Sequence, residues 1–141
     1  MNSMKTIGQQ LFDILDYIDK YDKKRESESI NCFVNNLIMK WNELDKEKYN
    51  EKSSKIIIVR IINEMVKLQK ESEAEKWFSI LAKISPKSPD YAIHFLKGEM
   101  YYKLHKFNQA YQYFKISYDE NKSFFSRQDV EYINFLTSHD K

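Results

Sequence analysis

Apolar residues recur every three or four positions along nearly the whole of this chain, the spacing that lays one stripe along an α-helix. Only two glycines and two prolines interrupt 141 residues. All-β and α/β folds need residues with φ > 0 at many corners, so this scarcity favours helices joined by short polar turns. The hydrophobic share is 42%, with ten Tyr and nine Phe, enough apolar mass to fill one core without metals or disulfides. The expected fold is therefore all-α, a single domain over 1–141 made of stacked antiparallel helical hairpins.

Seven helices are predicted. The first, about Met4 to Asp22, carries Ile7, Leu11, Ile14, Leu15, Ile18 and Tyr21 on one stripe, and the second, about Ser29 to Leu44, carries Phe33, Val34, Leu37, Ile38 and Trp41. Lys23 to Glu28 between them is a charged, solvated turn. The third starts at Ser53 or Ser54, a candidate N-cap, and runs to about Gln69. Its Ile57, Ile58, Ile61, Ile62, Met65 and Leu68 make a face broad enough for contact on two sides. Ser72 to Glu75 reads as a capping box for the fourth, which ends before Pro86. Ser88-Pro89 opens the fifth as a cap with proline in the first helical position. The sixth begins at the turn Lys106-Phe107-Asn108 and ends near Glu120. The last begins at Ser126, with Phe125 and Val130 as a hydrophobic staple, and closes the chain as a capping helix.

Internal repetition organises the middle of the chain. Met65 to Phe78 aligns with Tyr101 to Phe114, placing Ala74 over Ala110, Phe78 over Phe114 and Lys67-Leu68 over Lys103-Leu104. A small alanine lets two antiparallel helices approach, and an aromatic one turn later fills the wedge beyond it.

On Gly98, Tyr101, Tyr102, Phe107, Ala110, Tyr113 and Phe114 the chain resembles the tetratricopeptide-repeat family. The resemblance covers about Lys55 to Ser123 and implies two repeat hairpins over 55–123. An N-terminal hairpin over 1–52 lies outside it, and a capping helix and tail occupy 124–141. Gly98 stands where the family places its helix-crossing small residue, and Pro86 where its helix-ending proline belongs. Departures are His94 for Trp, Ile62 for Gly, Lys122 for Pro, and His105 for the turn glycine.

The residue types do not assemble into catalytic chemistry, and no catalytic residue, cofactor or metal is expected. His94 and His105 are about three helical turns apart, roughly 16 Å, and cannot share an ion. Cys32 beside Phe33 and Val34 reads as a small hydrophobe. Gly8 and Gly98 are isolated, so no phosphate loop is present, and Glu71, Glu73 and Glu75 read as solvated acids at a helix start. Lysines and arginines number 23 against 21 acids, too near balance to steer nucleic acid or an anionic membrane. The Lys–Tyr interleaving from Tyr101 to Lys122 is therefore assigned to packing. No secretory leader, disulfide or membrane span is expected, which points to the cytoplasm.

What remains is binding of another protein, with no small-molecule substrate. The core stripe of the fifth helix is Ile93, Leu96, Met100 and Leu104, while Phe95, Glu99, Tyr102 and Lys103 point the other way. In the family this is the concave, partner-binding face, to which the third helix would add Arg60, Asn63 and Lys67; the equal alternative is that Phe95 and Tyr102 pack against the neighbouring hairpin. Phe95 and Glu99 depart from the pattern that clamps C-terminal carboxylates. The run Phe107 to Leu136 is similar to that of small immunity proteins of bacterial polymorphic or contact-dependent toxin systems. That implies a partner that is a cognate toxin domain. The alternatives are an adaptor or chaperone for an extended peptide, or a peptide-responsive regulator.

Overall fold

The computed structural model describes residues 5–24 and 29–139, and every regular element among them is helical. In chain order these are α1 (Ile7–Lys24), α2 (Ile30–Asn42), a 3-10 helix (Lys46–Asn50), α3 (Ser54–Lys67), α4 (Glu71–Leu81), α5 (Asp90–Lys103), α6 (Phe107–Glu120), α7 (Lys122–Ser126) and α8 (Val130–His139). Met4 and Arg25 to Glu28, part of the first predicted helix and of its charged turn, lie outside the described residues. The chain forms two compact units, Met1–Lys87 and Ser88–Lys141, so the single domain suggested by the sequence divides between the two repeated hairpins.

Unit one has a mixed core, in which aliphatic side chains pack around the buried rings of Phe33, Trp41, Trp77 and Phe78. Leu11, Ile14 and Ile18 of α1 are buried, as are Val34 and Leu37 of α2. The centre is α3, where Ile57, Ile58, Ile61, Ile62 and Met65 are buried, as the broad apolar face predicts; Val66 is buried as well, while Leu68 is only partly so. Each such isoleucine contributes about 2 kcal/mol on removal from water. Ala74, Phe78 and Leu81 of α4 close the far side.

Unit two has an aromatic core. Phe95, Ala110, Phe114, Phe125, Tyr132 and Leu136 form one buried cluster. Phe114 lies 5.5 Å from Phe95, 5.6 Å from Phe125 and 5.0 Å from Tyr132, ring centre to ring centre, in the tilted and edge-on arrangements that aromatic quadrupoles favour. Gly98 makes this packing possible. A Cβ there would stand 2.5 Å from the Phe114 ring, so no larger residue fits without displacing a buried aromatic.

The repeat is visible in the backbone. Gln69 and His105, which align in the repeat, are the two non-glycine residues with positive φ among those described, at 60° and 62°. Lys70 N–H donates to Met65 O and Gln69 N–H to Val66 O; Lys106 N–H donates to Tyr101 O and His105 N–H to Tyr102 O. This is the Schellman ending of a helix, and in both hairpins it lacks the usual glycine. The same bonding closes both hairpins, whose turns share Lys-Leu-x-Lys and differ at the residue of positive φ.

Several predicted helix starts need correction. Ser53 makes no cap bond, and the Ser54 hydroxyl donates instead to Lys48 O in a buried hydrogen bond. The Ser72 capping box is not formed, because α4 begins earlier, behind Lys70. Pro89, not Ser88, is the N-cap of α5. The Ser126 start and its staple are also absent: residues 122–126 form the additional helix α7, capped by Asn121, whose side chain accepts from Phe124 N–H. Phe125 is buried while Val130 is 67% exposed, so the two cannot staple. Burial of Phe125 against Phe95 and Phe114 is worth more than a local contact with Val130, and it draws the chain into α7 first.

Candidate functional site

The face of α5 assigned to a partner is largely occupied by the chain itself. Phe95 is 6% exposed and touches Phe114, Phe124, Phe125 and Tyr132, which makes it a core residue and not a surface anchor. Of the stripe expected to form the core of α5, Met100 is buried, whereas Ile93, Leu96 and Leu104 are only partly so. Helix α5 is apolar on more than one side, so its sequence cannot say which side turns inward. The packing of α7 and α8 decides it.

Helix α8 is held over α5 by a polar seam. Tyr102 Oη donates to Glu131 Oε2 at 2.7 Å, and Tyr132 Oη donates to Glu99 Oε2 at 3.0 Å. Lys103, exposed, lies 3.8 Å from the same Glu99 oxygen. The hydrogen bond to Glu131 raises the Tyr102 phenol above its ordinary pKa. Burial, then the nearby Glu99 charge, raises that of Tyr132. Both phenols therefore remain donors throughout the neutral range.

Beside this seam an aromatic ribbon reaches the surface. Tyr102 packs on Phe135 at 5.1 Å and on Phe107 at 5.5 Å, and Phe107 packs on Phe135 at 5.8 Å. His139 extends it, 5.2 Å from Phe135 and 4.9 Å from Tyr111. Phe107 is 41% exposed, and Tyr102, Tyr111 and Phe135 are half-buried. An adjoining groove of about 330 Å³ is lined by Tyr111, Lys115, Tyr118, Phe125, Ile133 and Leu136, among others. Rings that bury one edge and offer the other make rigid anchors at low entropic cost. Of the ribbon, sequence reasoning assigned only Tyr102 to the site. The signal it missed is spacing: Phe107 with Tyr111 on α6, and Phe135 with His139 on α8, are each four residues apart and share a helical face.

The three residues proposed from α3 lie in unit one, and their surroundings are structural. The Arg60 guanidinium donates to both Asp22 oxygens, at 2.9 and 2.6 Å, and through Nε to Glu64 Oε2 at 2.6 Å. Its hydrogen bonds to Asp22 raise its pKa further and keep it charged. Glu64 is buried, and Lys67 gives it a longer bond at 3.4 Å. Arg60 thus ties α1 to α3 and neutralises a buried carboxylate, so it is not offered to a partner. Asn63 is half-buried, and Lys67 is exposed.

The remaining polar groups are engaged locally. His94 Nδ1 lies 2.7 Å from Glu120 Oε1, joining α5 to α6, and His105 sits in the positive-φ turn against Phe107. Cys32 is exposed near the start of α2 and is not packed as a small hydrophobe would be. The buried Lys48 donates to Trp41 O at 2.9 Å and lies over the Trp41 ring; burial lowers its pKa. Among the described residues no three His, Cys, Asp or Glu side chains are grouped to hold a metal ion, and no helix is long and apolar enough to cross a membrane.

No protein-family model, curated protein or solved structure matches the chain.

Proposed function

We propose that this chain is a protein-binding module without catalytic function, and specifically an immunity protein that binds and neutralises a cognate bacterial toxin domain in the cytoplasm. The observation that carries protein binding is the aromatic ribbon of Tyr102, Phe107, Tyr111 and Phe135, half-exposed and braced from beneath by the buried rings of unit two. Partner interfaces are enriched in such aromatic anchors with charged groups around them, and Lys103, Lys106 and Glu131 provide that rim. A rigid helical surface can supply on the order of 800 Å² to a partner of standard interface size. The toxin reading rests further on the similarity of the run Phe107 to Leu136 to small tetratricopeptide-like immunity proteins.

The test is co-expression with the toxin encoded by a neighbouring gene. Protection of the host, and a one-to-one complex on size exclusion, are expected. Phe107→Ala should weaken that complex by about 2 kcal/mol, a hot-spot loss. A neighbourhood without a toxin gene, together with no protection against candidate toxins, would sink the toxin reading. A second reading, an adaptor for an extended peptide, is favoured by the groove along Tyr111, Tyr118 and Ile133. It predicts micromolar peptide binding that Tyr102→Ala abolishes, as measured by calorimetry.

A further inference from the structure

Helix α8 is sealed on one flank and open on the other. Towards α5 its Phe135 closes on Tyr102, Phe107 and Phe114. Towards α6 and α7 a cleft of about 330 Å³ remains. Tyr111, Lys115 and Tyr118, spaced four and three residues apart, make its wall on α6, and Ile133 with Leu136 faces them from α8. The buried Phe125 ring is its floor. At the mouth stand two small, exposed residues, Ser126 and Thr137. Each donates its hydroxyl proton to a carbonyl one turn back in its own helix, Lys122 O and Ile133 O. Their short side chains leave the space unfilled, so the apolar lining forfeits contacts that a ligand can supply.

With the two hydroxyl protons engaged, recognition of charge falls to lysine. Lys115 Nζ and Lys122 Nζ lie 5.8 and 5.6 Å from the centre of the Tyr118 ring. Asp119, 3.4 Å from Lys115, offsets one of them. Two ammonium groups thus stand beside one carboxylate, and the ring that would attract a cationic ligand already has cations against it. At the roughly 30 Å³ that one water occupies in the liquid, the cleft has room for about ten non-hydrogen atoms. Tyr111 and Tyr118 are about 10 Å apart along the axis of α6, the reach of an extended eight-carbon chain. We propose that this cleft binds a medium-chain aliphatic carboxylate. Its tail lies along α6 over Phe125 and Leu136, and its carboxylate sits beside Tyr118, within reach of Lys115 and Lys122. The ligand is held and not transformed. The proposal goes beyond protein binding and does not rest on it, because α8 and its ring contacts with α5 stay in place.

The probe is sodium octanoate, titrated below its micelle-forming concentration into the isotope-labelled full chain and followed by amide shifts. Saturating shifts confined to α6, α7 and α8 are expected. Affinity should rise about fourfold for each methylene added from hexanoate to octanoate, the gain from burying one methylene. It should level off at decanoate, because the cleft is then full. Lys115→Glu should weaken octanoate about tenfold and leave octanol unchanged, since only the carboxylate meets the reversed charge. Thr137→Phe, altered at the exposed rim, should fill the mouth and abolish binding. Should circular dichroism show that this variant has lost its fold, Ser126→Leu, also at the rim, takes its place. Octanoate binding to the folded rim variant as tightly as to the wild type overturns the proposal. So do shifts that never saturate, or that spread to the exposed Phe12, Met39 and Ile56 of unit one, the mark of general adsorption to apolar surface. Equal octanoate affinity for Lys115→Glu and wild type would make the cleft indifferent to charge and overturn an anionic ligand.

Discussion

The two units solve one problem, folding a helix back on its neighbour, with the same turn and differently composed cores. In each, a residue other than glycine takes positive φ and two backbone bonds close a Schellman ending. Beyond the turn they diverge. Where unit one places Ile62 at the helix crossing, unit two places Gly98 and drives the Phe114 ring into the space. Unit one packs the isoleucines of α3 with Phe33, Trp41 and Phe78 and is closed by charge, Arg60 to Asp22 and Glu64. Unit two is packed with rings and closed by phenols on carboxylates. A backbone turn therefore does not fix the chemistry of the core it opens onto. The aromatic choice is also what leaves ring edges at the surface, where a partner can use them.

Several substitutions can break or sharpen this contrast. The largest effect is expected at the ionic clasp. Arg60→Ala leaves Glu64, 1% exposed, with only the longer Lys67 bond, and should destabilise unit one by about 3 kcal/mol. Urea denaturation followed by tryptophan fluorescence reads this unit alone, because Trp41 and Trp77 both lie in it. The double variant Arg60→Met with Glu64→Leu should recover most of the loss; a simply additive loss would mean that the pair is not the clasp.

At the crossing, Gly98→Ala should cost about 2 kcal/mol despite alanine's better helix propensity, because the Phe114 ring has buried neighbours on its other sides. Thermal melting that is unchanged or raised would show that the ring can yield, and the crossing would then not depend on glycine.

The shared turn gives a smaller effect of opposite sign. His105→Gly and Gln69→Gly each relieve a left-handed residue and should stabilise by about 1 kcal/mol, equally in the two hairpins. Unequal gains in the melting midpoints would mean that the turns differ in strain although their bonds coincide.

The smallest effect is alkaline. Tyr132 and Tyr102 have raised pKa values when folded, so their contribution is intact below about pH 10 and is lost as pH rises above it. Lys48 is lowered by burial, so the unfolded chain holds the proton more tightly and stability rises as pH climbs toward the ordinary lysine value. Alkali should therefore weaken unit two while favouring unit one. Between pH 8 and pH 11, the Tyr102→Phe/Tyr132→Phe chain should lose less circular dichroism in urea than the wild type. Equal losses would place the alkaline sensitivity outside the phenols.

Much of the fold was legible in the sequence. The apolar spacing located six of the helices to within a few residues, and the alignment of Met65–Phe78 with Tyr101–Phe114 anticipated the Ala110–Phe114 packing. The caps were less legible. Ser54, Ser72 and Ser126 each had a suitable hydroxyl, but a cap forms only where the chain enters the helix, and tertiary contacts set that point. The candidate site was the least legible part. Tyr102, read as outward, is partly exposed, whereas Phe95 and Arg60, read the same way, are covered, because a helical wheel shows sides without showing which is covered.

The sequence by itself determined that this chain is helical, where it repeats and which residues could be apolar, because those properties follow from local spacing and backbone preference. Only the tertiary structure decided that α7 forms, that α8 lies on α5, and that Arg60 answers a buried carboxylate. Each depends on residues far apart in the chain competing for one surface. A run such as Asp90–Lys103, apolar on several sides, takes its inward face from its neighbours.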